Sequence, residues 1–402
     1  MHVLSIICDD NWMPDNFSEG WRRCGATVTE FLYDKNIGRG SYDAASYKNV
    51  ERINNTILLL ANELHQQNKL TLIFMSIYDD YLLEGTLIKL RKLNVPLVNY
   101  HPDMVVQWYR MLKTGKYFDY IGCAQKTHLQ VYEKKKFKAQ YLPFASNPST
   151  QKINIGNINF NGATFMGAPL GYRPWVLSHL YFNNIPLRIF GHHWDWVTRK
   201  SVTTQTQEIQ IQTSGINLGF LKLSDKNIHD IKTYLPIRLK EEGIAFLNEQ
   251  YYKWKEKLFP THIDGDEFYG NIPQSVIHGQ YKKEDFVTLV SESAINIGFT
   301  HLSGNYNSKF ETKQVRLREF EVPLASGFYI TQYCNELANL YVEGKHIETW
   351  KSREELLEKT KYYLNNNAER NAIAKQGYAY ALENHTWEKR FNHILNELKI
   401  KQ

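Results

Sequence analysis

Two doubly wound α/β domains, each built on a parallel sheet, are predicted for this 402-residue chain by three features. Short apolar runs alternate with helical stretches from residue 1 to residue 146, the pattern of strands joined by crossover helices. The same alternation restarts at Ile158. Between the two lies a polar, turn-rich segment, Asn147–Asn157 (NPSTQKINIGN), suited to a linker. A chain of this length is long enough for two domains with a core each.

The elements follow in order. Met1–Cys8 is an apolar run stopped by Asp9-Asp10, a buried strand with the loop at its carboxyl end. A helical piece, Phe17–Cys24, ends at Gly25, and Ala26–Leu32 gives a second strand. Val50–Gln67 carries leucine and isoleucine at three- and four-residue spacing and is expected to be a helix. Leu70–Met75, Val95–Tyr100, Phe118–Cys123 and Gln140–Phe144 read as strands, with a helix at Leu82–Leu93. In the second half, Asn159–Met166 is a strand, Gly167–Tyr172 a glycine-rich loop and Trp175–Phe182 a helix. Leu187–Phe190, Ser275–His278, Ile295–Phe299 and Phe328–Thr331 add strands, and helices are expected at 353–365, 367–383 and 386–399. Residues 195–272 hold a helix-like stretch, Asp225–Leu258, expected to elaborate the second domain. In such sheets ligands bind beyond the carboxyl ends of the strands.

Composition narrows the function. Hydrophobic residues at 43 % and charged residues at 22 % are ordinary for a soluble enzyme. Net charge is only +6, and the chain lacks an arginine-rich tract, which argues against nucleic acid as a partner. Lys134-Lys135-Lys136 with Lys138 is the tight basic cluster, either a solvated helix face or a peripheral contact with anionic lipid. The cysteines Cys8, Cys24, Cys123 and Cys334 form no CxxC pair and read as free thiols of a reducing compartment. With no basic signal-like start and no long apolar run, a cytoplasmic protein is expected, one able to visit the inner face of a membrane.

The chemistry concentrates in Arg316–Thr331, RLREFEVPLASGFYIT. Helical spacing from Val315 to Leu324, stopped by Gly327, predicts a helix–turn–strand unit. Arg316 and Arg318 at a helix start suit a phosphate, because guanidinium forks and unpaired backbone N–H groups converge there. Glu321, one turn on, can accept two hydrogen bonds from a ribose diol. Together they describe a nucleotide-diphosphate site.

This stretch resembles the donor-site motif of the group 1 glycosyltransferases, and among them the spore-maturation-protein-like (CgeB-type) branch. The likeness extends through GKHIETWKSREELLEKTKYYLNNNAERNAIAKQGYAYALENHTWEKRF and back to INFNGATFMGAPLGYRPWVL and IPLRIFGHHW. It implies the GT-B architecture: two Rossmann-like domains facing a cleft, with residues 1–150 on the acceptor side and residues 158–385 binding the nucleotide sugar. Residues 386–402 are then a last helix that returns to the first domain. The resemblance also implies a nucleotide-sugar donor, a glycan or glycoconjugate acceptor, and no cofactor or metal. A second glutamate of the family's pattern falls at Lys313 here, so that carboxylate is absent.

Other candidates sit at strand ends. Gly167 and Arg173 open the second domain's first loop and helix, where glycine admits a nucleotide and arginine meets its diphosphate. His278-Gly279 end a short strand on the side where related enzymes hold the base. His101 and Asp103 (NYHPDM), following a first-domain strand, are the candidate catalytic groups for steering an acceptor hydroxyl or stabilising charge; Asp103 can equally cap a helix. Asp264-Gly265-Asp266 looks like a DxD metal motif but lies outside the matched stretches and is set aside as a chance triplet. The expected activity is sugar transfer, retaining and metal-independent. The competing readings are a nucleotide-sugar epimerase on the same fold and a non-catalytic sugar-nucleotide or polysaccharide-binding protein.

Overall fold

The structure is a computed structural model that describes residues 1–10, 12–34, 44–151, 156–195, 197, 235–244, 246–247, 250–251, 272–304, 306 and 311–400. The DxD triplet lies outside the described residues. The chain divides into two compact units, one of Met1–Asn147, Gln212–Asn248 and Thr386–Gln402, the other of Pro148–Ile211 and Glu249–His385.

The first unit carries His2–Cys8 (β1), Thr27–Tyr33 (β2), Leu72–Met75 (β3), Leu97–His101 (β4), Tyr120–Cys123 (β5) and Ala139–Tyr141 (β6). They form one sheet in the order β2-β1-β3-β4-β5-β6, parallel at every pairing. β1, β3, β4 and β5 are buried almost throughout, as continuous apolar runs in a sheet covered on both faces should be. The last helix, Trp387–Glu397, belongs to this unit and packs on the helix Glu19–Arg23. The described helical residues near 235–242 also group with this unit, through Trp108 Nε1 donating to Glu242 at 2.9 Å and Lys135 paired with Glu241 at 3.0 Å. That corrects the expectation that this part of 195–272 elaborates the second domain. The basic cluster is correspondingly engaged: Lys138 also pairs with Asp119, at 3.4 Å. All four cysteines are buried thiols. Among the described residues no helix is long and apolar enough to cross a membrane.

The second unit carries Phe160–Met166 (β7), Leu187–Phe190 (β8), Ile277–Gly279 (β9), Ser293–Gly298 (β10), His301–Ser303 (β11), Thr312–Lys313 (β12), Tyr329–Gln332 (β13) and Glu348–Trp350 (β14). Six of them make a parallel sheet in the order β14-β13-β10-β7-β8-β9, and β11 and β12 form a small antiparallel pair. Its core is Ile189, Ile295, Ile297 and Ile330 of the sheet against Trp175, Val176 and Leu180 of the helix Arg173–Phe182 and Leu356 of the helix Arg353–Asn365. The strand order reverses between β7 and β10. From β7 the chain continues to β8 and from β10 towards β13, on opposite sides, so the loops at their carboxyl ends diverge and leave a crevice.

Candidate functional site

A cavity of ≈ 270 Å³ occupies that crevice. Phe165, Met166 and Gly167 line it from β7 and its loop, and Ile297, Gly298 and Phe299 from β10. Arg173, Arg316 and Arg318 add three guanidinium groups, and among the described residues no aspartate or glutamate lines it. A largely apolar pocket whose charged lining residues are all cations suits an anion.

Each arginine is placed by its own local structure. Arg173 is the first residue of its helix, with Pro174 pre-set for the first turn, and is only 5 % exposed. Its Nη1 donates to Ala168 O at 3.2 Å and its Nη2 to His301 O at 3.3 Å, while its Nε has no hydrogen-bond acceptor among the described residues. Arg316 Nη2 donates to the same His301 carbonyl at 2.9 Å. Two like charges thus share one acceptor. Burial first, and then Arg316, push the Arg173 guanidinium down to about 10.

Arg318 begins the helix Arg318–Leu324 and donates Nη1 to Glu321 at 2.6 Å and Nη2 to the Tyr281 hydroxyl. It lies 4.6 Å from the Phe286 ring centre. Burial works against its charge, but Glu321 and Tyr281 outweigh it and hold the guanidinium above its ordinary value. Beneath them Glu319 is wholly buried; its Oε2 accepts from Arg316 N at 2.7 Å, and its Oε1 from Tyr329 Oη at 3.3 Å and Thr331 Oγ1 at 3.2 Å. The helix ends at a left-handed residue, Ser326 at φ 58°, rather than at the glycine expected to stop it. Gly327 serves close packing instead: an added Cβ there would stand 2.7 Å from Asn296 Nδ2 and strike Val290.

The structure therefore brings together Gly167, Arg173, Arg316 and Arg318 around one cavity, with Glu321 joined to it through Arg318 and Gly327 directly behind it. His278 is exposed, stacked on Phe190 at 5.1 Å, and outside the lining, as is Gly279. Lys313 sits on β12 and pairs with Glu311 at 3.4 Å. The Glu311 side chain is 5 % exposed, accepting from Tyr172 and Gln332 and lying 3.6 Å from His301 Nδ1. These contacts fix His301, whose carbonyl holds two of the arginines. Sequence reading missed Glu319, Glu311 and Tyr172; the available signal for Glu319 was its place on the helical stripe of Val315 and Val322, four and three residues away.

His101 has the surroundings of a core residue. It is fully buried in the first unit between Tyr78 and Tyr132, with Nε2 at 3.1 Å from Gln107 O, and burial pushes its imidazole down to about 3. A neutral ring with no exposed surface has no route to an acceptor hydroxyl, so the catalytic expectation for it is not carried forward. Asp103 precedes the helix Met104–Gln107, where its carboxylate accepts from Gln107 Nε2 at 3.2 Å.

Residues 245–396 match a family model described as glycosyl transferase-like. No curated protein matches the sequence. Among solved structures, a glycosyltransferase from Rickettsia africae ESF-5 is similar at a TM-score of 0.53 and 11 % identity, covering 100 % of this chain and 99 % of that one. The sucrose-phosphate synthase of Thermosynechococcus elongatus gives 0.52 at 10 % identity, covering 99 % of each chain. Anabaena HepE in complex with UDP gives 0.50 at 10 % identity, covering 99 % of this chain and 100 % of that one. All three share the pair of parallel-sheet units, the GT-B fold. The chain thus has the GT-B fold, and its residues 245–396 match a glycosyl transferase-like model.

Proposed function

We propose that the protein transfers a sugar from a nucleotide-diphosphate sugar to a hydroxyl of a glycan or glycoconjugate acceptor. One observation carries this reading: a cavity at the reversal point of the second unit's sheet, edged by Arg173, Arg316 and Arg318 and, among the described residues, by no carboxylate. On this reading the three guanidinium groups hold the diphosphate, and Glu321 accepts hydrogen bonds from the ribose diol. Charge grows on the leaving diphosphate as the glycosidic bond breaks, so fixed cations stabilise the transition state more than the ground state. The arginines take the part a divalent metal would otherwise play. The UDP named with the Anabaena neighbour supports a nucleoside diphosphate as the ligand class. We place the acceptor with the first unit, the reaction in the cytoplasm, and retention of configuration at the sugar.

A panel of sugar nucleotides scored for protection against thermal unfolding tests the donor reading. At least one is expected to stabilise the protein, and transfer should then require an added acceptor. New sugar nucleotide formed without any acceptor would indicate an epimerase instead, and binding without turnover a binding protein. If no nucleotide sugar stabilises the fold, the donor reading fails.

Two further results are expected. Glu321→Ala should weaken binding of the nucleotide sugar by about 1.5–3 kcal/mol, the worth of hydrogen bonds to a charged group. Because Glu321 is half-buried and outside the core, the melting temperature should hardly move; unchanged affinity by calorimetry removes it from the site. Turnover should also survive EDTA. Activity lost to the chelator and restored by Mn²⁺ or Mg²⁺ would transfer the diphosphate's neutralisation from the arginines to a metal.

A further inference from the structure

Glu319 has no assigned part in the reading above, yet it is a carboxylate with 0 % exposure directly behind the cationic cavity. Its three acceptor bonds, to Arg316 N, Tyr329 Oη and Thr331 Oγ1, tie the segment bearing Arg316 to β13. Neutral groups of the same shape could make those ties. A buried carboxylate adds a charge, and the charged groups facing it are specific. Arg316 and Arg318 come from its own segment, and Arg173 from the helix Arg173–Phe182. Tyr329 on β13 and Cys334 beyond it are the other titratable neighbours, both held protonated by burial. The helix Asn367–Asn384 packs behind, where His385 meets Phe320 at 5.3 Å. Ionised, Glu319 offsets part of the repulsion between Arg173 and Arg316 while the cavity is empty. Once a dianion lies against the same arginines, that negative charge becomes a like charge in a low-dielectric setting.

We propose that Glu319 is a proton-linked positioning residue of the donor site: ionised, it balances the empty arginine cavity, and it takes up a proton from solvent when a diphosphate binds. The proposal rests on the reading of the cavity as an anion site. Burial, opposed by the Arg316 backbone N–H and guanidinium, lifts its carboxyl to about 7, which puts the exchange in the neutral range. The sign follows from linkage. A bound anion raises the Glu319 pKa further, so the protonated form binds the anion more tightly, and affinity climbs as pH falls from above the bound value to the free value near 7.

The test is calorimetry with UDP-glucose, ADP-glucose and GDP-mannose, whose diphosphate diesters do not themselves titrate near neutrality. Across about pH 9 to 6 the wild type should gain roughly tenfold in affinity, since a nearby charge shifts a carboxylate by about one unit or more. The binding enthalpy should depend on the buffer, reporting proton uptake. Glu319→Gln keeps the shape and can keep the bonds, because both hydroxyls can donate or accept. It should bind at the wild type's low-pH affinity with a flat profile and no proton uptake. Loss of affinity at every pH with the slope retained would make Glu319 merely structural, and a flat wild-type profile overturns the proposal without any variant. A slope that survives Glu319→Gln and vanishes in His301→Asn assigns the proton to His301. Sulfate, a non-titrating dianion, separates the two readings: if no nucleotide binds but sulfate raises the melting temperature more at low pH in the wild type only, the donor reading fails and the linkage stands.

Discussion

Arg173→Met is expected to weaken nucleotide binding roughly a hundredfold while leaving the fold as stable as before, or more so. The guanidinium is 5 % exposed, shares the His301 carbonyl with Arg316, and leaves its Nε without an acceptor among the described residues. Burial and Arg316 lower its pKa to about 10, so at neutral pH the charge costs the empty protein about 3 kcal/mol. Methionine fills similar space and removes that cost, losing two hydrogen bonds to carbonyls in exchange. Replacing a buried charge by an apolar side chain is commonly neutral or stabilising on such terms. Binding runs the other way. Losing the charge-assisted bonds to a diphosphate costs about 3 kcal/mol, or roughly a hundredfold in affinity. Thermal unfolding with and without sugar nucleotide measures both at once. A variant that melts earlier and still binds would show that Arg173 is there for packing.

Much of the fold can be read from the sequence because both sheets are parallel. Their strands are buried on two faces, so β1, β3 and β4 stand out as largely apolar runs between helices of regular spacing. Leu187–Phe190 and the helix Arg353–Asn365 match their expected bounds, and the helix Asn367–Asn384 is one residue longer than expected. Short elements with inward polar groups were not legible. β14 is three residues long and buries Glu348, which is satisfied by Lys359 at 2.9 Å, a partner eleven positions away. β11 and β12 total five residues and depend on contacts around Glu311 that no local pattern encodes.

The site divides in the same way. Arg318 and Glu321 are three apart on one helix, so their pairing follows from helical geometry. Arg173 and Arg316 are far apart in sequence and meet only because β7 and β10 are neighbours at the point where the sheet order reverses. His101 shows the opposite case. It ends a strand, as a reactive group can, but the residues that enclose it, Tyr78 and Tyr132, arrive from other loops and helices. Position at a strand end indicates where ligands gather, whereas enclosure is decided by partners distant in sequence.

Trp387→Ala is expected to release the last helix and to cost a large share of the first unit's stability. Thr386 caps this helix by accepting from Lys389 N at 3.3 Å, and Arg390 donates to Pro143 O and Phe144 O at 3.0 and 3.2 Å. These bonds orient the helix, but its anchor is aromatic. Trp387 is fully buried, edge-on to Phe17 at 4.7 Å and to Tyr100 at 5.2 Å, while Phe391 one turn later stacks on Trp21 at 4.1 Å. Its Nε1 donates to the buried Asn16 Oδ1 at 2.9 Å, so truncation opens a large cavity and also leaves that oxygen without this donor. Removing a tryptophan of this kind costs about 3–5 kcal/mol, against a total of about 5–15 kcal/mol for a typical domain. Gly20 lets the last helix approach closely: a Cβ there would come within 2.6 Å of Trp387 Cβ and 2.8 Å of the Phe391 ring. Hydrogen exchange resolves the effect by region. Amides of β1, β3 and of residues 387–397 should lose protection together, while those of β7 and β10 in the other unit keep theirs, and sugar-nucleotide affinity should survive wherever the second unit stays folded. Protection unchanged in β1 and β3 would show that residues 1–147 hold their core without the last helix, and the aromatic anchor would then be a fastening for the chain's end rather than part of the unit's core.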